Sequence, residues 1–249
     1  MSRRDRDQYI MVDTINKPKY VNQFMTSEFL ENYGTSYDYG SIMHYRRGGL
    51  SKEEYVMIIP DSKYKNTLGS EMISFIDLAI INRHYNCTEK CKSESKDLQC
   101  QHGGYPHPRN CSRCLCPTGY GGVDCSERPP DGCGKELEAK ETWQTQEITV
   151  GENSQLHLDG YKKCNYWIKF PKDKKIRIEL KEIQFNSTAG CTKGGLEIKT
   201  NPDETLTGYR FCEELDEGQT VVSTSSPVPL IIYSRLNSRS RAVIRFKYG

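Results

Sequence analysis

The chain reads as a multidomain protein joining three kinds of structure. A partial α+β subdomain, mostly loop plus one helix, covers residues 1–87; a small disulfide-rich module covers 88–126; an all-β sandwich covers 133–249. Three observations predict this. Ten of the eleven cysteines fall after residue 90, six of them crowded between Cys91 and Cys125 and four widely spaced from Cys133 onward. The last segment carries short runs in which apolar and polar residues alternate. The first segment ends in a stretch of helical period.

In the first segment, Val56-Met57-Ile58-Ile59-Pro60 is a short apolar run closed by proline, which predicts a short strand. Ile73, Ile76, Ile80 and Tyr85 fall near helical spacing, with Ser70 and Glu71 placed to open the helix. The region before the strand reads as loop. The second segment is too short to bury a sufficient core, so disulfides must supply the constraint. Its six cysteines alone allow fifteen pairings. Cys111-x-x-Cys114-x-Cys116 with His102 and His107 also invites a zinc reading, but a disulfide framework uses all six cysteines and suits the surrounding Gly/Pro pattern. Ser126 to Gly132 is a polar linker stiffened by proline. In the third segment, Ile176-Arg-Ile178-Glu-Leu180 and Leu196-Glu-Ile198 alternate as half-buried antiparallel strands do, and Pro229–Tyr233 and Ala242–Tyr248 are strand-like. Such runs predict a β-sandwich, with Trp143 and Trp167 in its core.

Composition narrows the function classes. A net charge of +2 gives no basic footprint for nucleic acid or an anionic membrane. Mean hydropathy is −0.74, and no apolar run is long enough to predict a membrane span. The cysteine usage predicts an oxidising, secreted context. The sequons at Asn86, Asn110 and Asn186 agree as candidate N-glycosylation sites. The charged opening Met1-Ser2-Arg3-Arg4-Asp5-Arg6-Asp7 shows no signal peptide, so the expectation is a true N-terminus upstream of Met1.

The run Tyr37-Asp38-Tyr39-Gly40-Ser41-Ile42-Met43-His44-Tyr45 resembles the Met-turn of the astacin family of zinc metalloproteases. Ser2 to Ile10 resembles the astacin run that directly follows the third zinc histidine, a register that puts Met1 at that histidine's position. In the family, zinc is held by H-E-x-x-H-x-x-G-x-x-H and lowers the pKa of a bound water to about 7. The resemblance implies that Met43 lies beneath the metal and that Tyr45 sits near zinc as oxyanion stabiliser in an intact enzyme. The five histidines are His44, His84, His102, His107 and His157; no two are four apart, so H-E-x-x-H is absent. His44 reads as a structural, hydrogen-bonded residue, and Asp5, Arg6 and Asp7 as a local ion-pair network.

Cys114-Leu-Cys116-Pro117-Thr-Gly-Tyr-Gly-Gly-Val-Asp-Cys125, with Gln101-His-Gly-Gly-Tyr105, resembles an EGF-like module. That resemblance implies the pairs Cys91–Cys111, Cys100–Cys114 and Cys116–Cys125. Cys133-Gly134, Tyr161-Lys-Lys-Cys164-Asn-Tyr-Trp167-Ile168, Cys191 and Gly208-Tyr-Arg-Phe-Cys212 resemble a CUB domain, implying Cys133–Cys164 and Cys191–Cys212. Calcium-binding CUB domains carry an acidic residue where this chain has Gly194, so no calcium is expected there. Cys87 is left over; the family resemblance puts its partner in the missing upstream half.

Together the resemblances imply a secreted, astacin-like zinc metalloendopeptidase, here its C-terminal part. The fold class becomes a partial α+β zincin C-terminal subdomain, an EGF-like module and an all-β CUB sandwich. Protein or extracellular-matrix substrates would be engaged through the EGF–CUB tail. As written, without the zinc helix, the chain is expected to be inactive and to bind no zinc. Residues 1–87 are expected to be poorly ordered without the half they pack on, and 133–249 to fold once oxidised. The rival reading is a non-catalytic, secreted EGF–CUB protein-binding module.

Overall fold

The computed structural model describes residues 1–13, 18–47, 57–91, 98–150, 154, 156–235 and 240–249. It is mostly β, with one α-helix and five disulfides.

In the first segment β1 (Met11–Val12) pairs antiparallel with β2 (Met57–Ile58). Of the predicted strand, Val56 lies outside the described residues. Helix α1 spans Phe75–His84, starting later than Ser70 and Glu71 suggested. The reason is its cap. Ser74 is extended, its hydroxyl accepts from the Asp77 N–H, and Asp77 accepts from the Ser74 N–H in return. Ser70 instead bonds Met72, its hydroxyl accepting the Met72 N–H at 3.0 Å.

The cysteine-dense segment contributes a two-stranded ribbon, β3 (Tyr105–His107) with β4 (Asn110–Leu115). Cys91–Cys111, Cys100–Cys114 and Cys116–Cys125 are bonded within it. His102 and His107 are engaged elsewhere, His107 Nδ1 accepting the Arg109 N–H at 3.1 Å.

The last segment is a two-sheet sandwich. Its strands are β5 (Glu136–Glu138), β6 (Gln144–Val150), β7 (Lys162–Lys169), β8 (Ile176–Gln184), β9 (Gly194–Ile198), β10 (Tyr209–Phe211), β11 (Thr220–Ser223), β12 (Val228–Ser234) and β13 (Ser240–Tyr248). The five-stranded sheet runs β10-β9-β12-β7-β5 and the four-stranded sheet β11-β8-β13-β6. Ile148, Ile168, Ile178, Leu196, Leu230, Ile232 and Ile244 meet between them in the main core. Cys133–Cys164 and Cys191–Cys212 are bonded here.

Strand β8 alternates buried and exposed over Ile176–Leu180, as its pattern predicts, but β9 and β12 are buried throughout. The outer face of the five-stranded sheet is covered. The cysteine-dense module seals one end of it. Trp167 packs with Tyr120, Cys114 and Cys125, and its indole N–H donates to the Gly119 carbonyl at 2.7 Å. Gly119, at φ +91°, allows that approach: a Cβ there would stand 2.8 Å from Pro229. The first segment covers the other end, against β9 and β10. Residues 1–13, 18–47 and 57–87 are thus built onto the sandwich, where the sequence suggested a segment left without its support.

Two expectations need correction. Trp167 is buried, but between module and sandwich, outside the inter-sheet core. Trp143 stands just before the edge strand β6, 37% exposed, with the Arg245 guanidinium 4.5 Å from its ring centroid. Solvent access costs an indole little when a cation covers its face.

Candidate functional site

The site begins with a five-residue turn that cannot be regular, because each of its polar groups is taken by a specific partner. The His44 N–H donates to the Ser41 carbonyl at 3.0 Å, and the Met43 N–H to the Ser41 hydroxyl at 3.1 Å. Ser41 donates its own proton to Asp77 Oδ1 at 2.6 Å, while Asp77 Oδ2 accepts the Ile42 N–H at 3.0 Å and the Ser74 N–H at 2.9 Å. One carboxylate therefore caps α1 and fixes the turn on the helix's first residues, where the helix dipole favours negative charge.

Met43 stands 74% exposed and Tyr45 48% exposed, the latter edge-on to Phe24 with ring centroids 5.7 Å apart. His44 is buried. Its Nδ1 lies 2.8 Å from the Tyr45 carbonyl, which can only accept, so Nδ1 carries the proton and Nε2 accepts from the Tyr37 hydroxyl at 2.7 Å. Burial pulls its pKa down to about 4, so it stays neutral near pH 7. Both ring nitrogens are engaged within the protein.

Below the turn, Asp38 is buried and satisfied. Oδ1 accepts the Gly40 N–H at 3.1 Å and the Thr207 N–H at 3.2 Å; Oδ2 accepts the Thr207 hydroxyl at 3.1 Å. Burial outweighs these donors and leaves its pKa above the ordinary aspartate value. A run of rings leads from the turn to the sandwich: Tyr9 stacks on Tyr37 at 4.5 Å, Tyr39 on Tyr64 at 4.3 Å, and Tyr64 meets Tyr209 at 4.5 Å. Near the N-terminus Arg3 pairs with Asp5 at 2.7 Å, holding its carboxyl below the ordinary range, and Arg6 pairs with Asp7 at 2.8 Å.

A hollow of about 490 Å³ opens beside the turn, with Met1, Ile42, Met43, His44, Ile73 and Ile80 among its walls. Met1 and Met43 thus face one cavity; Tyr45 is not part of its lining. The residues present do not fit a zinc ion. Among the described residues, no three His, Cys, Asp or Glu side chains converge as a metal site, and His44, the histidine at the turn, has no free nitrogen.

Cys87 is a free thiol of intermediate exposure, and Asn86, Asn110 and Asn186 are all exposed. Sequence reasoning passed over Asp77 and Thr207. Ser74-x-x-Asp77 was a readable capping pattern; Thr207 lies 169 residues from Asp38 and gave no local signal. It also passed over a set of charges under the first segment. Glu197 pairs with Arg210 at 2.9 Å, both buried, and Arg210 Nη1 donates to Ser70 Oγ at 2.8 Å. Lys199 donates to the carbonyls of Thr118 at 2.9 Å and Glu204 at 2.8 Å, and burial pulls its pKa down to about 8. His102 closes on Glu204 at 2.6 Å.

A turn of this build, ahead of a capped helix, belongs to the metalloprotease class. Residues 1–86 match the model of the Astacin peptidase family, and the chain belongs to that family. Over 99% of its length the chain is 43% identical to zinc metalloproteinase nas-31 of Caenorhabditis elegans, covering 40% of that protein. It is 37% identical to nas-23 of the same organism over its whole length, covering 46% of that protein, and 35% identical to nas-25 over 94% of its length, covering 60% of that protein. The chain therefore spans about half the length of these relatives. Solved structures that resemble it include the CUB1-EGF-CUB2 domain of human MASP-1/3, at 18% identity, 63% of this chain, 57% of that chain and TM-score 0.35. The full extracellular region of zebrafish Gpr126/Adgrg6 matches at 20% identity, 47% of this chain, 14% of that chain and TM-score 0.35. No helix among the described residues is long and apolar enough to cross a membrane.

Proposed function

We propose that this chain is part of a secreted astacin-type zinc metalloendopeptidase, an enzyme that hydrolyses peptide bonds in proteins. Residues 88–126 would form an EGF-like module and 133–249 a CUB domain that engages protein or extracellular-matrix substrates. The observation that carries the reading is the 1–86 family match, together with a turn at Ser41–Tyr45 held rigidly on α1. In an intact enzyme Met43 would lie beneath zinc, and Tyr45, exposed and free to move, would stabilise the oxyanion. Cys87 would pair outside these residues, and Asn86, Asn110 and Asn186 would carry glycans.

The 249-residue polypeptide itself would neither bind zinc nor cleave peptides, since His44 is committed to Tyr37 and the Tyr45 carbonyl. The test is a zinc titration and a peptidase assay on the purified, oxidised 249-residue polypeptide. One equivalent of tightly held zinc with chelator-sensitive turnover refutes inactivity. Reading the transcript upstream of codon 1 tests the protease assignment: an in-frame H-E-x-x-H-x-x-G-x-x-H supports it, and a stop codon without a splice acceptor favours a non-catalytic EGF–CUB binding protein.

A further inference from the structure

We infer that the sandwich is a brace for the Met-turn as well as a substrate-docking tail, and that Thr207 is the positioning residue through which it acts. Thr207 precedes β10 and reaches the turn by two hydrogen bonds, N–H to Asp38 Oδ1 at 3.2 Å and hydroxyl to Asp38 Oδ2 at 3.1 Å. Asp38 transmits the contact, because its Oδ1 also accepts the N–H of Gly40, the residue before Ser41. The approach is as close as chemistry allows: a Cβ on Gly40 would stand 2.4 Å from the Thr207 side chain. Glycine at 40 is therefore a requirement of the sandwich, since its own backbone is not in the left-handed region.

Neighbouring contacts make the arrangement a docked surface. The Thr67 hydroxyl donates to the Gly208 carbonyl at 3.1 Å and accepts the Arg210 N–H at 3.1 Å. Asn66 Nδ2 donates to the fully buried Asp216 at 3.2 Å, and Ser36 donates to Asp203 at 2.5 Å. Most of these partners are buried and mutually satisfied, so separating the two surfaces leaves unpaired groups on both. A buried network of this kind has one low-energy arrangement, and the turn inherits its position from it.

The brace rests on geometry alone; its bearing on catalysis rests on the protease reading above. In a polypeptide carrying the zinc-binding helix, Thr207 would hold the backbone bearing Met43 and Tyr45 without touching metal or substrate.

Hydrogen exchange on the 249-residue polypeptide tests the brace without any zinc. Thr207→Val keeps the shape and removes one donor. The Met43 and His44 amides should then exchange at least about tenfold faster, while those of Leu230 and Ile232 in β12 keep their rates. Thr207→Ser, which restores the hydroxyl, should return both turn amides to wild-type protection. Gly40→Ala approaches the contact from the other side and should displace the Met43 methyl and His44 ring resonances. Unchanged turn amides in Thr207→Val with unchanged resonances in Gly40→Ala would overturn the brace. Uniform loosening of turn and β12 together would also overturn it, reducing Thr207 to a general stability residue. Neither outcome touches the protease reading, which stands or falls on the upstream codons.

Discussion

Removing the Arg210 side chain should be among the most damaging single changes in this chain. Arg210 lies on β10 opposite Glu197 on β9, with Nε 2.9 Å from Glu197 Oε2 and side-chain exposures of 5% and 3%. Arg210→Ala leaves the Glu197 carboxylate buried, with the Gly208 N–H at 3.0 Å still donating to it but no guanidinium beside it. It also takes from the Ser70 hydroxyl its donor at 2.8 Å and uncovers one face of Tyr233, over which the guanidinium sits at 5.6 Å. Breaking a buried pair from one side costs about 3–5 kcal/mol. With a urea m-value of about 2–3 kcal/mol/M, the midpoint should fall by about 1–2 M.

The assay is equilibrium unfolding with disulfides intact, followed by tryptophan fluorescence, at pH 7 and again in acid. Burial alone raises the Glu197 carboxyl; Arg210 and Lys199 over-compensate, so its folded pKa sits below the ordinary value of 4.5. A depressed carboxylate contributes stability that is present above about pH 4.5 and is lost as pH falls through the folded value. The difference between wild type and Arg210→Ala should therefore shrink in acid. A loss under about 1 kcal/mol at pH 7, or a gap that widens on acidification, would refute the assignment of a compensated buried pair.

Further outcomes follow from the same structure. Tyr37→Phe deprives His44 Nε2 of its donor at 2.7 Å and should cost about 1–3 kcal/mol in thermal or urea unfolding. His44 titrates near 4 when folded against an ordinary 6.5, so it contributes stability above pH 6.5 that drains away between 6.5 and 4; an NMR titration with its midpoint above about 6 would contradict this. Replacing both Cys133 and Cys164 by serine opens a 31-residue loop and should lower stability by about 4 kcal/mol on the loop-entropy estimate, read by calorimetry. Trp167→Ala removes the hydrogen bond to Gly119 and the packing against Tyr120; it should cost about 3–5 kcal/mol and expose the 98–126 module to limited proteolysis before the sandwich.

Local pattern made much of the fold legible. Alternation at Ile176–Leu180 marked β8, and Ile76 and Ile80 marked α1 by their spacing. The helix start was misplaced because Ser70 has the chemistry of a cap but spends its hydroxyl on Met72, Arg210 taking the rest. Strands β9 and β12 lost their predicted exposed face because two other segments lie on it. That burial depends on contacts such as Thr67 with Gly208, 141 residues apart, which no window of sequence displays. At the site, the motif residues Met43 and Tyr45 were visible by family likeness. The groups that hold them were visible only where they were local, as with Asp77, and invisible where they came from afar, as with Thr207.

The covered sheet face has a practical meaning for anyone hoping to express the C-terminal domain by itself. A cut at the linker would bare Trp167 and Ile231 to water and leave Glu197, Lys199, Arg210 and Asp216 without several of the carbonyls, hydroxyls and amides that now surround them. Such a fragment would present a sticky, charge-studded slab in place of a finished surface, which is why the boundary at residue 132 is a boundary in composition but a poor place for scissors.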